Sequence, residues 1–307
     1  MQKLKNVLIT GSNAGLGREA ARQLAAQPQV ERIYLACRNV DKANDAKSQL
    51  IQQTGRDVFA VIVVDVADPE SVRSAVADIT TPLDAVVLNA GGSGGKMPYH
   101  LTKAGVTHIF AANVLGHTVL VEALLEEQLI TSTVVYSSSE AARGIPRMGI
   151  AKPALRDHSV EEFAAIATGV KFGPDADPLD IYGTIKLVGT LWMASMARKH
   201  PHIRFITMSP GGTTGTNGMD DLPFVKKLMF KHVGGSIMPL LGMMHGVEAG
   251  ARRYLDALEN LNFESGHFYA SKAGSPTGPV VDQVTIEPGL SDRLAQDNAY
   301  SAVQQFV

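Results

Sequence analysis

The stretch Thr10-Gly11-Ser12-Asn13-Ala14-Gly15-Leu16-Gly17 constrains this chain more than any other. It follows Val7-Leu8-Ile9, an apolar run suited to a buried strand. It leads into a helical pattern that lasts from Gly15 to about Gln27 and stops near Pro28. A glycine-rich turn between a first strand and a helix aims unpaired backbone N–H groups, and the positive end of the helix dipole, at the phosphates of a nucleotide. Gly11 permits the tight turn. Gly15 and Gly17 leave room for a pyrophosphate beside the backbone and for the helix to pack on the sheet. Gly11, Ser12, Asn13, Gly15, Leu16 and Gly17 are therefore assigned to a dinucleotide cradle. Plain loops use such glycines too; the strand before and the helix after select the nucleotide reading.

The same alternation continues along the chain. Residues 32–36, 58–64, 84–88, 133–138, 203–208 and 266–271 read as further strands. Helices are expected at 69–79, with Asp68 as N-cap and Pro69 in the first position, at 103–127, 181–199 and 246–258, and at a last segment capped by Ser291. Strands alternating with helices of this length imply βαβ units and a parallel sheet, hence the α/β class. Two stretches break the rhythm. Residues 140–181 are rich in glycine and proline and read as an insertion with one short helix at 159–167; residues 211–246 are irregular. With 307 residues and 45% hydrophobic content, residues 1–307 are expected to form one large domain around a substantial core.

Charge and cysteine content narrow the function classes. A formal net charge of −2 gives no basis for a nucleic-acid partner. Cys37 is the sole cysteine, so no internal disulfide is possible and a reducing, cytoplasmic location is expected. The first residues lead directly into a strand, and no uninterrupted apolar run reaches the roughly 18 residues of a membrane span, so neither a signal peptide nor a transmembrane segment is expected. The histidines are scattered without a His-Glu-x-x-His pattern, and no metal site is expected.

The end of the second strand reads Ala36-Cys37-Arg38-Asn39. A chain selecting NAD places an acid here for the ribose 2′-hydroxyl, whereas Arg38 would pair with a 2′-phosphate. NADP is therefore expected over NAD. Downstream, Tyr182 and Lys186 stand four residues apart within a helical segment, which puts them on one face. An ammonium beside a phenol favours the phenolate, lowers the tyrosine pKa towards working pH and makes the phenol a proton donor and acceptor. Ser137, Ser138 and Ser139 lie between the glycine turn and this pair.

Taken together, Thr10-Gly11-x-x-x-Gly15-x-Gly17, Asp65-Val66, Asn89-Ala90-Gly91, Asn113, Ser139, Tyr182-x-x-x-Lys186 and Pro210-Gly211 resemble the short-chain dehydrogenase/reductase family. The resemblance runs over nearly the whole chain. It implies a single doubly wound (Rossmann) domain with a seven-stranded parallel sheet, NAD(P), and hydride transfer between nicotinamide and a carbonyl or alcohol substrate. In the family pattern the second of two strand-end serines orients the substrate oxygen. That selects Ser139, with Ser138 as the alternative. Lys186 would also bind the nicotinamide ribose, and Asn113 would hold a water linking Lys186 to solvent. Asp65 and Val66 would flank the adenine, Asn89, Ala90 and Gly91 would line the cofactor, Pro210 and Gly211 would close its nicotinamide end, and Thr214 or Thr216 would reach the carboxamide. Homodimers through the long helices are implied too, although the 140–181 insertion would obstruct that surface.

A narrower likeness rests on Ala36-Cys37-Arg38, on Phe110-Ala111-Ala112-Asn113-Val114-Leu115-Gly116-His117 and on the insertion before Tyr182; it points towards retinol dehydrogenases and light-dependent protochlorophyllide reductases. Two departures accompany it: an expected lack of a membrane anchor, and the placing of the lone cysteine on the cofactor strand. Residues 222–245 are apolar and rich in methionine, which suggests a lid over a bulky or apolar substrate, with a core helix or a membrane-surface helix as the other readings. Two other functions compete with carbonyl/alcohol redox: a nucleotide-sensing protein without turnover, and reduction of a ring carbon–carbon double bond.

Overall fold

The computed structural model describes residues 4–94, 97–173, 176–215 and 242–307. Its centre is an eight-stranded sheet in the order β3-β2-β1-β4-β5-β6-β7-β8. The strands are β1 (Asn6–Thr10), β2 (Arg32–Cys37), β3 (Phe59–Val63), β4 (Leu83–Leu88), β5 (Ile130–Ser137), β6 (Arg204–Met208), β7 (Phe268–Ser271) and β8 (Val280–Asp282). Seven run parallel, as expected. The eighth, which sequence reading did not anticipate, pairs antiparallel with β7 and corrects the seven-stranded all-parallel expectation. It is three residues long and follows a glycine- and proline-containing loop, too little sequence for a period-two signal.

Helices cover both faces. On one side lie α1 (Gly15–Ala25) and α2 (Val40–Thr54), later joined by α7 (Val247–Glu259); on the other lie α3 (Pro69–Ala77), α4 (Gly116–Glu126), α5 (Val160–Thr168), α6 (Pro178–Lys199) and α8 (Arg293–Gln304). Strand β1 contributes Val7 and Ile9 to one core and Leu8 to the other, the alternation of a sheet buried on both faces.

Several boundaries differ from expectation for local reasons. Helix α2 was not expected. Its buried face is only a thin stripe of Ala43, Ala46 and Leu50, and its ends are set by the Asn39 side chain at the N-cap and Gly55 in the left-handed region at the C-cap. The helix expected at 103–127 starts at His108, because Gly105 (φ 77°) and the Thr102–Val106 backbone bond form a turn first. It then runs through a π-helical turn, Ala111–Leu115, into α4. His108–Glu126 is long and apolar enough by length and composition to cross a bilayer, yet 72% of that window is buried inside the fold, as in a core helix. The last helix is capped by Asp292 rather than Ser291; the Asp292 carboxylate accepts from the Leu294 and Ala295 N–H groups.

The insertion builds its own small framework. Short 3-10 turns at Glu140–Arg143 and Pro146–Met148 precede α5, whose N-cap is Ser159 as the sequence suggests. Most of the expected lid lies outside the described residues, as does Thr216.

Candidate active site

The glycine turn is held from the sheet side. Gly11 (φ 66°) and Gly15 (φ 53°) occupy the left-handed region that favours glycine. Asn89, just past β4, donates through Nδ2 to the Thr10 carbonyl at 2.8 Å and the Gly11 carbonyl at 3.3 Å. A Cβ on Gly17 would stand 2.5 Å from that amide nitrogen, so only glycine fits there. No side chain caps the N-terminus of α1, and its first-turn N–H groups stay available to an anion. Within the cradle, Ser12 is buried and its hydroxyl donates to the Ile9 carbonyl at 3.0 Å, which leaves its backbone as the part that can face a ligand.

At the adenine end, Arg38 Nη1 lies 3.8 Å from the Asp65 carboxylate, with 70% of the Arg38 side chain exposed. The structure thus brings together the two residues that sequence reading placed at the 2′-position and beside the adenine. The Asp65 carboxylate also accepts the Ala67 N–H at 3.0 Å, which fixes the turn after β3, and the Val66 carbonyl packs directly against Gly116. At the opposite end, Gly211 (φ 79°) donates its N–H to Ser209 Oγ at 3.1 Å, the Pro210 carbonyl meets His245 Nε2 at 2.8 Å, and Thr214 is tied through both its N–H and its hydroxyl to the His245 carbonyl.

The reactive groups converge where β5 ends. Ser138 turns inward and pairs with Thr190 Oγ1 at 2.9 Å, whereas Ser139 accepts the Ala141 N–H at 3.2 Å and faces the Tyr182 phenol. Of the two candidate serines, Ser139 is the one that reaches Tyr182. Lys186 follows one turn further along α6. It is 2% exposed, donates to the Ser137 carbonyl at 2.8 Å, and lies 5.6 Å from the Tyr182 ring centre and 5.0 Å from that of Tyr136. A Cβ on Gly91 would come 3.6 Å from its Nζ, so the lysine looks onto the loop after β4 that also frames the cradle. Asn113 sits in the π-helical turn. Its side chain accepts the Gly92 N–H at 3.1 Å and donates to the Gly92 and Ile109 carbonyls at 2.9 and 2.8 Å. Its own carbonyl accepts the Tyr136 hydroxyl at 3.0 Å. Asn113 therefore clamps the cofactor-facing loop, and a water expected at its carbonyl would share that oxygen with Tyr136.

The electrostatics correct one expectation. Lys186 was expected to draw the Tyr182 pKa towards working pH. In the structure burial, then the Glu140 charge, push the phenol well above its usual value, with the nearby Ser139 hydroxyl acting in the other direction. Burial alone pushes Lys186 down to about 7, so its ammonium is only half formed near neutrality. His117, buried behind Thr10 with an unpartnered Nδ1, is pushed down to about 3 by burial and by Lys186 and stays neutral.

Sequence reading missed Glu140, Arg253 and Tyr254, which form the back wall. Tyr254 pairs with Ser137 Oγ at 2.6 Å and donates to Asn89 Oδ1 at 3.3 Å, linking both ends of the site. An acid directly after three strand-end serines is the one sequence signal that would have found Glu140. A cavity of about 270 Å³ opens beside Glu140, where the apolar Ile145, Pro146, Ala273, Pro276 and Ile286 stand together with the charged Arg143, Arg147 and Glu287. No cluster of three potential metal ligands occurs among the described residues.

Comparison with known proteins fits this geometry. Residues 5–150 match the family model for short chain dehydrogenase. Retinol dehydrogenase 11 of Mus musculus is 36% identical over 124 residues, 40% of this chain and 39% of that protein, so the match spans about two-fifths of the relative's length. A short-chain type dehydrogenase/reductase from Mycobacterium ulcerans superimposes with a TM-score of 0.62 at 18% identity, covering 94% of this chain and 97% of that one. An NADPH-bound carbonyl reductase from chicken fatty liver gives 0.58 at 18% identity over 87% and 96%. At such identities the superpositions establish the doubly wound fold.

Proposed function

We propose that this chain, whose residues 5–150 match the family model for short chain dehydrogenase, is an oxidoreductase of that family acting between NADP(H), in preference to NAD(H), and a carbonyl or alcohol substrate. The observation that carries this reading is the meeting of Ser139 and Tyr182 above a buried Lys186 that looks onto Gly91. The cradle fits a dinucleotide: an uncapped helix N-terminus, a turn that only glycines can make, and the exposed Arg38 guanidinium at its far end. NADPH bound to the chicken carbonyl reductase supports the choice of cofactor.

When bound, the dinucleotide supplies the hydride. The chain's own residues do the rest. The Tyr182 phenol holds the proton that passes to the substrate oxygen. The Ser139 hydroxyl, whose oxygen is already oriented by the Ala141 N–H, hydrogen-bonds the same oxygen as it gains charge. Lys186 becomes fully charged once acceptors of the ribose stand before it, and its field then favours proton release from Tyr182. The apolar, methionine-rich sequence of residues 222–245 supports a bulky or apolar substrate. A homodimer would use a surface other than the face of α6 that α8 covers, where Asp297 accepts from Ser195 at 2.7 Å.

The test is NADPH oxidation, followed by nicotinamide absorbance, across aldehydes and ketones of graded size and polarity. Turnover of bulky apolar carbonyls is expected. Tight NADPH binding with no turnover of any carbonyl would identify a nucleotide-sensing protein instead, and activity confined to small hydrophilic ketones would overturn the substrate class.

A further inference from the structure

Lys186 is buried with the Ser137 carbonyl as its hydrogen-bond acceptor at 2.8 Å, and among the described residues no carboxylate forms an ion pair with it. What stands around the ammonium instead is aromatic. Its Nζ lies over the Tyr136 ring, 5.0 Å from the centre, and 5.6 Å from the centre of the Tyr182 ring. The face of an aromatic ring carries negative charge density and attracts a cation within about 6 Å, most strongly where water is excluded. Tyr182 is part of the reacting constellation. Tyr136 has no part in the chemistry above.

Tyr136 is fixed from several sides. It is fully buried. Its hydroxyl donates to the Asn113 carbonyl at 3.0 Å. Helix α6 passes so close that a Cβ on Gly189 would stand 2.3 Å from that hydroxyl and 2.6 Å from the ring carbon that bears it. His117 from α4 and Trp192 from α6 meet the ring nearly at right angles, at centre separations of 6.1 and 6.5 Å. Burial, then Tyr182, push the Tyr136 phenol well above its usual value, so the ring stays uncharged. Consecutive residues of β5 therefore hold one ammonium, Tyr136 through its ring and Ser137 through its carbonyl. The other titratable groups near it are Tyr182 on α6 and His117 on α4, which is neutral. A ring differs from a carboxylate in offering no lone pairs. It draws the charge while the ammonium donors not given to Ser137 stay available to the oxygens of a ligand.

We propose that Tyr136 is a positioning residue: its ring face seats the Lys186 ammonium by a cation–π contact in the place a carboxylate would take, and with the Ser137 carbonyl it aims that ammonium at the loop carrying Gly91. The use of the lysine by a dinucleotide rests on the oxidoreductase reading; the contact itself does not.

The test keeps the shape of the side chain and changes the charge on its face. Tyr136→Phe removes the hydroxyl, and phenylalanines bearing one, two or three ring fluorines at the same position then drain the ring face in steps. The readout is a carbon-13 NMR titration of the lysine ε-carbons in the cofactor-free protein, with the Lys186 signal assigned by its loss in Lys186→Met. In the unaltered chain that signal titrates at about 7. Tyr136→Phe is expected to keep the midpoint within about 0.3 pH unit, and the trifluorinated ring to lower it by about one pH unit, with the other two in order between. A purely structural role would lower melting temperature across the series without ranking the midpoints by fluorine number. Midpoints that ignore fluorination overturn the proposal. If the unaltered chain reduces no carbonyl, the oxidoreductase reading falls, while the titration, which needs neither cofactor nor substrate, still decides whether Tyr136 seats the lysine.

Discussion

Two buried charges, Lys186 under the active site and Glu162 inside the insertion, are met by the protein in opposite ways. Glu162 accepts the backbone N–H groups of Arg156, Asp157 and His158 at 2.7 to 3.0 Å and the Lys171 ammonium at 2.5 Å. Burial works against its charge, yet these partners hold the carboxyl down to about 2. Lys186 has one carbonyl as its hydrogen-bond acceptor among the described residues and no paired carboxylate, and burial brings it down to about 7. The fully matched charge is a structural knot that closes the loop leading into α5. The under-matched one is left convertible, so that a ligand supplying acceptors can change its protonation. A buried ionisable group signals function where its partners are too few, and architecture where they are sufficient.

The largest effect that would sharpen this contrast is on Lys186→Met. Turnover should fall by about 1000-fold, while stability at neutral pH should hold or rise by about 1 kcal/mol, since an unpaired buried amine is removed. A loss of stability in chemical denaturation would break the comparison. Glu162→Gln should do the reverse, losing about 3 kcal/mol of stability with kcat nearly intact in whatever fraction stays folded.

The pH dependences carry opposite signs as well. Glu162 has a folded pKa below its ordinary value of 4.5, so its contribution is present above pH 4.5 and is lost as the pH falls towards about 2. Lys186 has a folded pKa below its ordinary 10.5, so the native state binds fewer protons than the unfolded chain between about 7 and 10.5, and its contribution to stability rises across that interval. Denaturation at several pH values, compared with each variant, checks both slopes. NADPH binding near pH 7.5 should therefore take up a fraction of a proton, seen as a dependence of binding heat on buffer ionisation; proton release would contradict the account of Lys186. The smallest effect is at the exposed edge. Arg38→Ala should weaken NADPH by about 10-fold and leave NADH nearly unchanged, and equal loss for both in a binding titration would remove Arg38 from cofactor selection.

What was legible in the sequence follows the same division. The cradle could be read because a glycine turn is a local matter: Gly11 and Gly15 need left-handed backbone wherever the rest of the chain lies. The parallel strands were visible as β-branched runs, and the Tyr182–Lys186 pair as a helical spacing. Helix α2 was hidden by its thin apolar stripe, and β8 by its brevity. The Glu140–Arg253 pair joins residues 113 positions apart and exists only through the sheet order that sets β5, β6 and β7 side by side. Nor could spacing alone reveal the raised Tyr182 pKa, because the burial that causes it is a property of the assembled edge.

The most direct test of the central claim is a paired measurement on Tyr182→Phe: NADPH affinity by titration, and carbonyl reduction by the same preparation. The account predicts affinity within about 3-fold of the unaltered chain and turnover reduced by at least about 1000-fold. A Tyr182→Phe protein that reduces carbonyls as fast as the original would contradict it.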